Sequence, residues 1–228
     1  MNNINENTYP KNIIKHLLLS TALFLPFCFF IWFYASSLLV LPVKYLLQLI
    51  LSAWQPDLFN AVTQNQYLLN IETLIFPSTS FTGQGDKLAV LDVVVNPMLY
   101  GYGIAVISGL VVSVPDLKPA KRVMQIVLGY FIVILIQTFG SFWETIKHLI
   151  FEAGPDAQQA ILDTGLAPNL IALMYQLSYL IIPAVVPISY WIIMNYDFIG
   201  EITGLKTNTD RNFAQERVSE EQQQENKL

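Results

Sequence analysis

Four long stretches of the chain carry no Asp, Glu, Lys or Arg: residues 17–41, 93–115, 123–143 and 164–195. A helix needs about 20 apolar residues to cross a hydrocarbon core of roughly 30 Å, and each stretch supplies them. The pattern therefore predicts four membrane-spanning helices. The first covers residues 13–41 with Pro26 inside it. Proline removes a backbone donor, so a kink is expected there, and Pro42 is expected to end the span.

Beyond Pro42 the period changes. Val43, Leu46, Leu47, Ile50, Leu51 and Trp54 fall at helical spacing, with Lys44, Gln48, Ser52 and Gln55 on the other face. This predicts an amphipathic helix of about three turns lying in the outer headgroup layer. Tyr67, Leu69, Ile71, Thr73 and Ile75 then alternate with mostly polar neighbours, and Ala89, Leu91, Val93 and Val95 repeat the alternation after the turn-rich segment Thr79 to Lys87. Two strands and a hairpin are expected. An isolated hairpin is barely stable in water, so it must rest on the amphipathic helix, the membrane surface or another protein.

The second span opens at Asn96-Pro97, a capping residue followed by the residue favoured at the first helical position. It then places Gly101, Ala105, Gly109 and Ser113 four residues apart. Such a ridge of small side chains lets another helix approach closely, within the chain or from a partner. The third span carries Gln137, Ser141, Glu144 and His148 on one face, and the fourth holds Pro183 and Pro187, which predict a bent or locally unwound helix.

Composition agrees with lipid as the solvent. Hydrophobic residues make up 54% of the 228 and charged ones 13%, against about 25% charged in a soluble domain. The net charge of −5 hides a sorting by location. Nine of the twelve basic residues (Lys11, Lys15, Lys118, Lys121, Arg122, Lys206, Arg211, Arg217 and Lys227) fall in the tails or the loop between the second and third spans. Basic residues in short segments stay cytoplasmic, so both termini are expected inside. The first span is expected to be a retained anchor, because Phe33-Tyr34-Ala35 lacks the small residue a signal-peptide cleavage site needs. The fold class is thus an all-α membrane bundle of four transmembrane helices, with a small extracytoplasmic β hairpin and an interfacial amphipathic helix. Residues 1–202 form one four-span domain with its β-rich loop at 55–95, and residues 203–228 are expected to be a disordered cytoplasmic tail.

Chemistry is thin. Cys28 sits midway along an apolar helix, where a thiol stays protonated and inert, so no catalytic residue is assigned. His16 and His148 belong to opposite ends, which leaves no metal site, and no cofactor is expected. Nothing suggests nucleic-acid binding; the expected partners are membrane lipid and a membrane protein. What remains is a polar layer at the outer helix ends: Asn96, Tyr100, Gln137, Ser141, Glu144, His148 and Asn169. It is either capping with interhelical hydrogen bonding or an outward-facing recognition surface.

Three segments stand out together: Leu25-Pro26-Phe27-Cys28-Phe29-Phe30-Ile31-Trp32, Asn96-Pro97-Met98-Leu99-Tyr100-Gly101-Tyr102-Gly103, and Gln137-Thr138-Phe139-Gly140 with Glu144. Their order around an outward hairpin resembles the bacterial exosortase H-associated membrane proteins, over roughly residues 15–195. The resemblance implies a place beside an inner-membrane protein-sorting system and transfers no catalytic role to any residue. It points to a non-enzymatic accessory protein that engages the sorting enzyme or its substrate through the small-residue ridge and the hairpin of residues 66–95. A small solute transporter or channel subunit is the alternative, suggested by the broken fourth span and the intramembrane glutamines.

Overall fold

A computed structural model describes residues 8–76, 90–115 and 117–203. Its order is α1 (Thr8–Tyr34), α2 (Ser36–Trp54), β1 (Phe59–Asn65), β2 (Leu68–Thr73), β3 (Asp92–Val95), α3 (Met98–Gly101), α4 (Gly103–Ser113), α5 (Pro119–Phe151), α6 (Pro155–Leu162), α7 (Pro168–Gln176), a π-helical turn (Leu177–Ile181), α8 (Ile182–Met194) and α9 (Tyr196–Thr203). The expected turn at 79–87 and most of the expected tail lie outside the described residues.

Four helices are long and apolar enough to cross a membrane: Ile14–Tyr34, Ser36–Trp54, Pro119–Phe151 and Pro168–Met194. The number agrees with the sequence pattern; the set differs in one member. Residues 98–113 form a shorter apolar element of about 24 Å at 1.5 Å per residue. The segment read as an amphipathic helix beyond Pro42 forms the later part of α2. Pro42 does not end the first helix. It sits inside α2, and the break falls at Ala35, whose carbonyl accepts from both Leu38 N and Leu39 N at 3.0 Å. Pro26 likewise lies within α1, which runs on unbroken to Tyr34.

The prolines of the fourth span do act locally. Pro183 has no N–H to return to the carbonyl of Tyr179, and the π turn at Leu177–Ile181 stands directly before it. Ser178 Oγ donates to the Tyr175 carbonyl at 2.8 Å within the same stretch.

The sheet has the order β1-β2-β3, both pairs antiparallel. A two-residue turn at Gln66-Tyr67 joins β1 to β2, with Gln66 at φ 56°, in keeping with the left-handed first position of tight hairpin turns. Phe59, Val62, Leu69, Ile71, Val93 and Val95 point inward onto Val40, Val43, Leu47 and Leu51 of α2 and Ile146, Leu149 and Ile150 of α5. The outer face is mainly polar, with Val94 exposed beside Asn70, and is cross-linked: Asn60 Nδ2 donates to Glu72 Oε2 and Asn70 Nδ2 to Asp92 Oδ2, each at 3.3 Å. The hairpin thus rests on α2 and α5.

Helix α5, about 50 Å long, joins two apolar clusters. Around its N-terminal half, Val133 packs with Ile104, Ile107, Val111 and Val114 of α4 and its exit, and with Trp191 of α8. Around its C-terminal half lie α2, the sheet and Ala157 and Ile161 of α6. Beside the first cluster, Gln125 and Asn195 exchange amide hydrogen bonds at 3.2 and 3.3 Å, both buried, and Tyr190 Oη donates to the Gln125 carbonyl at 2.7 Å.

Candidate functional site around Glu144

The run Val95-Asn96-Pro97-Met98 is the joint between β3 and α3, and α5 holds it at three points. Asn96 Oδ1 accepts from Met98 N at 3.1 Å, which caps the short helix as its Asn-Pro opening predicts. The Asn96 backbone N–H donates to the Glu144 carboxylate, and Tyr100 Oη donates to Glu144 Oε2 at 3.1 Å. One turn pair lower, Gln137 Nε2 donates to the Pro97 carbonyl at 3.1 Å. Between these bonds the Tyr100 ring, fully buried, lies on Gly140. A Cβ added at Gly140 would stand 2.4 Å from the ring.

Two of the three distinctive sequence segments therefore meet face to face. Asn96, Pro97, Tyr100 and Gly101 dock on Gln137, Gly140 and Glu144, and a Cβ at Gly101 would meet Gln137 Nε2 at 2.2 Å. The third segment touches the ridge lower down, where a Cβ at Gly109 would lie 3.1 Å from the Leu25 Cα. All four ridge residues are buried, and Ser113 Oγ donates to the Gly109 carbonyl at 2.6 Å. The ridge is occupied within the chain, by α1 and α5, instead of being presented outward.

Of the seven residues of the polar layer, Asn96, Tyr100, Gln137 and Glu144 come together. Ser141 is buried on the same helix, and its Oγ has no hydrogen-bond partner among the described residues. His148 stands at the margin: its Nε2 is 3.9 Å from Glu144 Oε1, beyond hydrogen-bond reach, while Nδ1 contacts Glu152 Oε2. Asn169 is exposed in the first turn of α7, and no described hydrogen bond ties it to the layer. Lys147 Nζ bonds Glu152 Oε1 at 2.6 Å and holds that carboxyl below the usual carboxylate range.

Sequence reasoning did not place the aromatic side of the site. Tyr175 and Tyr179 stack with centroids 6.0 Å apart, Tyr179 meets Tyr100 edge-on at 6.3 Å, and Lys147 lies over the Tyr175 ring at 5.1 Å. Their spacing of four was visible on the fourth span; their destination, on a different helix, was not. Among the described residues no group of three His, Cys, Asp or Glu could hold a metal ion. Cys28, half-buried on α1, is not among the side chains gathered at Glu144.

Residues 11–198 match the family of exosortase H-associated membrane proteins. The chain belongs to that family. No curated protein and no solved structure matched it. The family description makes this an exosortase-associated membrane protein, in agreement with its four apolar helices.

Proposed function

We propose that this family member is a non-enzymatic accessory protein of an exosortase-type sorting system, engaging the sorting enzyme or its substrate in the membrane. The family match over residues 11–198 carries the reading. The architecture supports it, because a small polar-faced sheet is held rigidly against a membrane bundle by α2 and α5. With the ridge occupied internally, the sheet becomes the engaging element. The β1 edge is closed by Gln48, whose Nε2 donates to the Asn60 carbonyl at 3.3 Å and whose Oε1 accepts from Val62 N. Contact then falls on the β3 side and the outer face, where adding a strand is one mode of recognition. Charge sorting adds the orientation: inner membrane, both termini cytoplasmic and the sheet outside, with α1 and α2, which abut at Ala35, making one crossing together and residues 98–113 making the next.

Two experiments test this. Affinity capture from detergent-solubilised native membranes should enrich an exosortase; recovery of the bait alone would count against the reading. A periplasm-dependent reporter inserted after Gly85 should be active, and activity only from a cytosolic reporter at that position would invert the topology.

A further inference from the structure

Helix α2 carries three kinds of surface. Its buried line is Ser36, Val40, Val43, Leu47 and Leu51. Directly opposite, Leu38, Leu41, Tyr45 and Leu49 are 72%, 44%, 61% and 65% exposed. Between the two runs a polar line of Ser37, Lys44, Gln48 and Ser52. The sequence pattern places Lys44, Gln48 and Ser52 on the polar face of a helix in the headgroup layer. Gln48 meets the β1 edge instead, bonding both Asn60 and Val62, and Gln64 Nε2 donates to the Ser37 carbonyl at 2.8 Å. The outermost face, Leu38, Leu41, Tyr45 and Leu49, is apolar, with Lys44 Nζ at its margin over the Tyr45 ring at 5.4 Å.

Its level is fixed by α5. Tyr130 Oη donates to the Leu39 carbonyl at 3.2 Å, and Trp54 meets Phe142 edge-on at 5.4 Å, so α2 runs alongside α5 between those positions. At the same level α5 exposes Phe131 and Leu135. The α2 stripe thus continues an apolar surface that a membrane helix already presents. An open strand edge cannot border lipid, where an unpaired backbone group costs several kcal/mol. On the β1 edge beside this stripe, Gln48 takes up the Asn60 carbonyl and the Val62 N–H. The sheet's outer face is mainly polar: Asn60, Thr63 and Asp92 are exposed on it, with Val94 as an exposed apolar exception.

We propose that α2 is a lipid-facing wall: Leu38, Leu41, Tyr45 and Leu49 contact the bilayer, while the sheet it screens keeps its outer face in water. The protein would then be wet on one flank and lipid-bound on the other at a single depth. This holds whether or not the partner is a sorting enzyme.

The test uses the full chain in lipid nanodiscs, with Cys28→Ser as background and nitroxide labels at Leu41→Cys, Leu49→Cys and Asn60→Cys. Collision with oxygen should exceed collision with a water-soluble nickel chelate at positions 41 and 49, and the order should reverse at 60. Leu38→Cys and Tyr45→Cys replace either stripe variant that does not fold. Chelate preference on the stripe would overturn the proposal, as would shielding from both quenchers, which would mean a protein neighbour covers it. Oxygen preference or double shielding at position 60 would overturn the wet flank.

Discussion

The contact between Tyr100 and Gly140 offers a quantitative check on how the β3–α3 joint is held. In Gly140→Ala the new Cβ would lie 2.4 Å from Cγ and Cδ1 of the Tyr100 ring, whereas ordinary contact begins near 3.4 Å. The ring must retreat by about 1 Å, the difference between those distances. It cannot do so freely, because Tyr100 Oη is bonded to Glu144 and its other side meets Tyr179. Overpacking of this kind costs about 1–3 kcal/mol, while alanine in a helix interior regains roughly 1 kcal/mol over glycine. Gly140→Ala should therefore destabilise the protein by up to about 2 kcal/mol. The decisive measurement is a double-mutant cycle with Tyr100→Ala, followed by reversible unfolding in mixed micelles. Tyr100→Ala alone should be the more damaging change, at about 3–5 kcal/mol for loss of a large buried ring. Once the ring is gone, Gly140→Ala should cost nothing or stabilise slightly. Additive single effects would refute the close approach.

Further outcomes follow from single bonds. Glu144→Gln keeps the shape but replaces one of the carboxyl oxygens that accept from Asn96 N and Tyr100 Oη by an amide donor; stability should fall by about 1–3 kcal/mol, read by the same unfolding assay, with capture of the proposed partner per folded molecule unchanged because the carboxyl is buried. Gln48→Leu should speed hydrogen exchange at the Val62 amide by at least tenfold, since that N–H loses its acceptor at the sheet edge; unchanged protection would place the cap elsewhere. Glu152 titrates below the usual range, so its pairing with Lys147 stabilises the fold above the ordinary carboxylate pKa and is lost as pH falls through its lowered one. Glu152 is exposed, so Glu152→Gln should shift the melting temperature only slightly at pH 7 and not at all at pH 2.

Local patterning was enough where a segment's neighbours lie on one side of it. The alternation through Leu69, Ile71 and Thr73 and through Val93 and Val95 reads directly as β2 and β3 because one sheet face is buried. Strand β1 was missed for a physical reason: a register shift between Phe59 and Ala61 leaves the buried residues Phe59 and Val62 three apart, so the two-residue period is lost. Gln48 was given to the headgroup layer with the rest of α2's polar face because a side chain that caps a strand edge has the same composition as one that meets water or headgroups. In the site, Asn96 and Glu144 were legible as polar groups at helix ends. That one receives the other's bond, with Tyr100 on Gly140 between them, depends on a crossing of α3 over α5 that no local spacing encodes. The Gln125–Asn195 exchange spans seventy residues and was likewise beyond reach.

That amide exchange sets what kind of motion the bundle permits. A piston stroke of α8 along α5 by a single residue, about 1.5 Å, would stretch two bonds already 3.2 and 3.3 Å long past useful reach and strand both amides in an apolar surround. The far end of the same helix has the opposite character, with a widened turn and a missing donor at Pro183. Bending at that widened turn costs less than slippage at the pinned end. Any response transmitted through this helix is then a bend before Pro183 that leaves Asn195 in place, and paired spin labels should keep narrow distances beside Trp191.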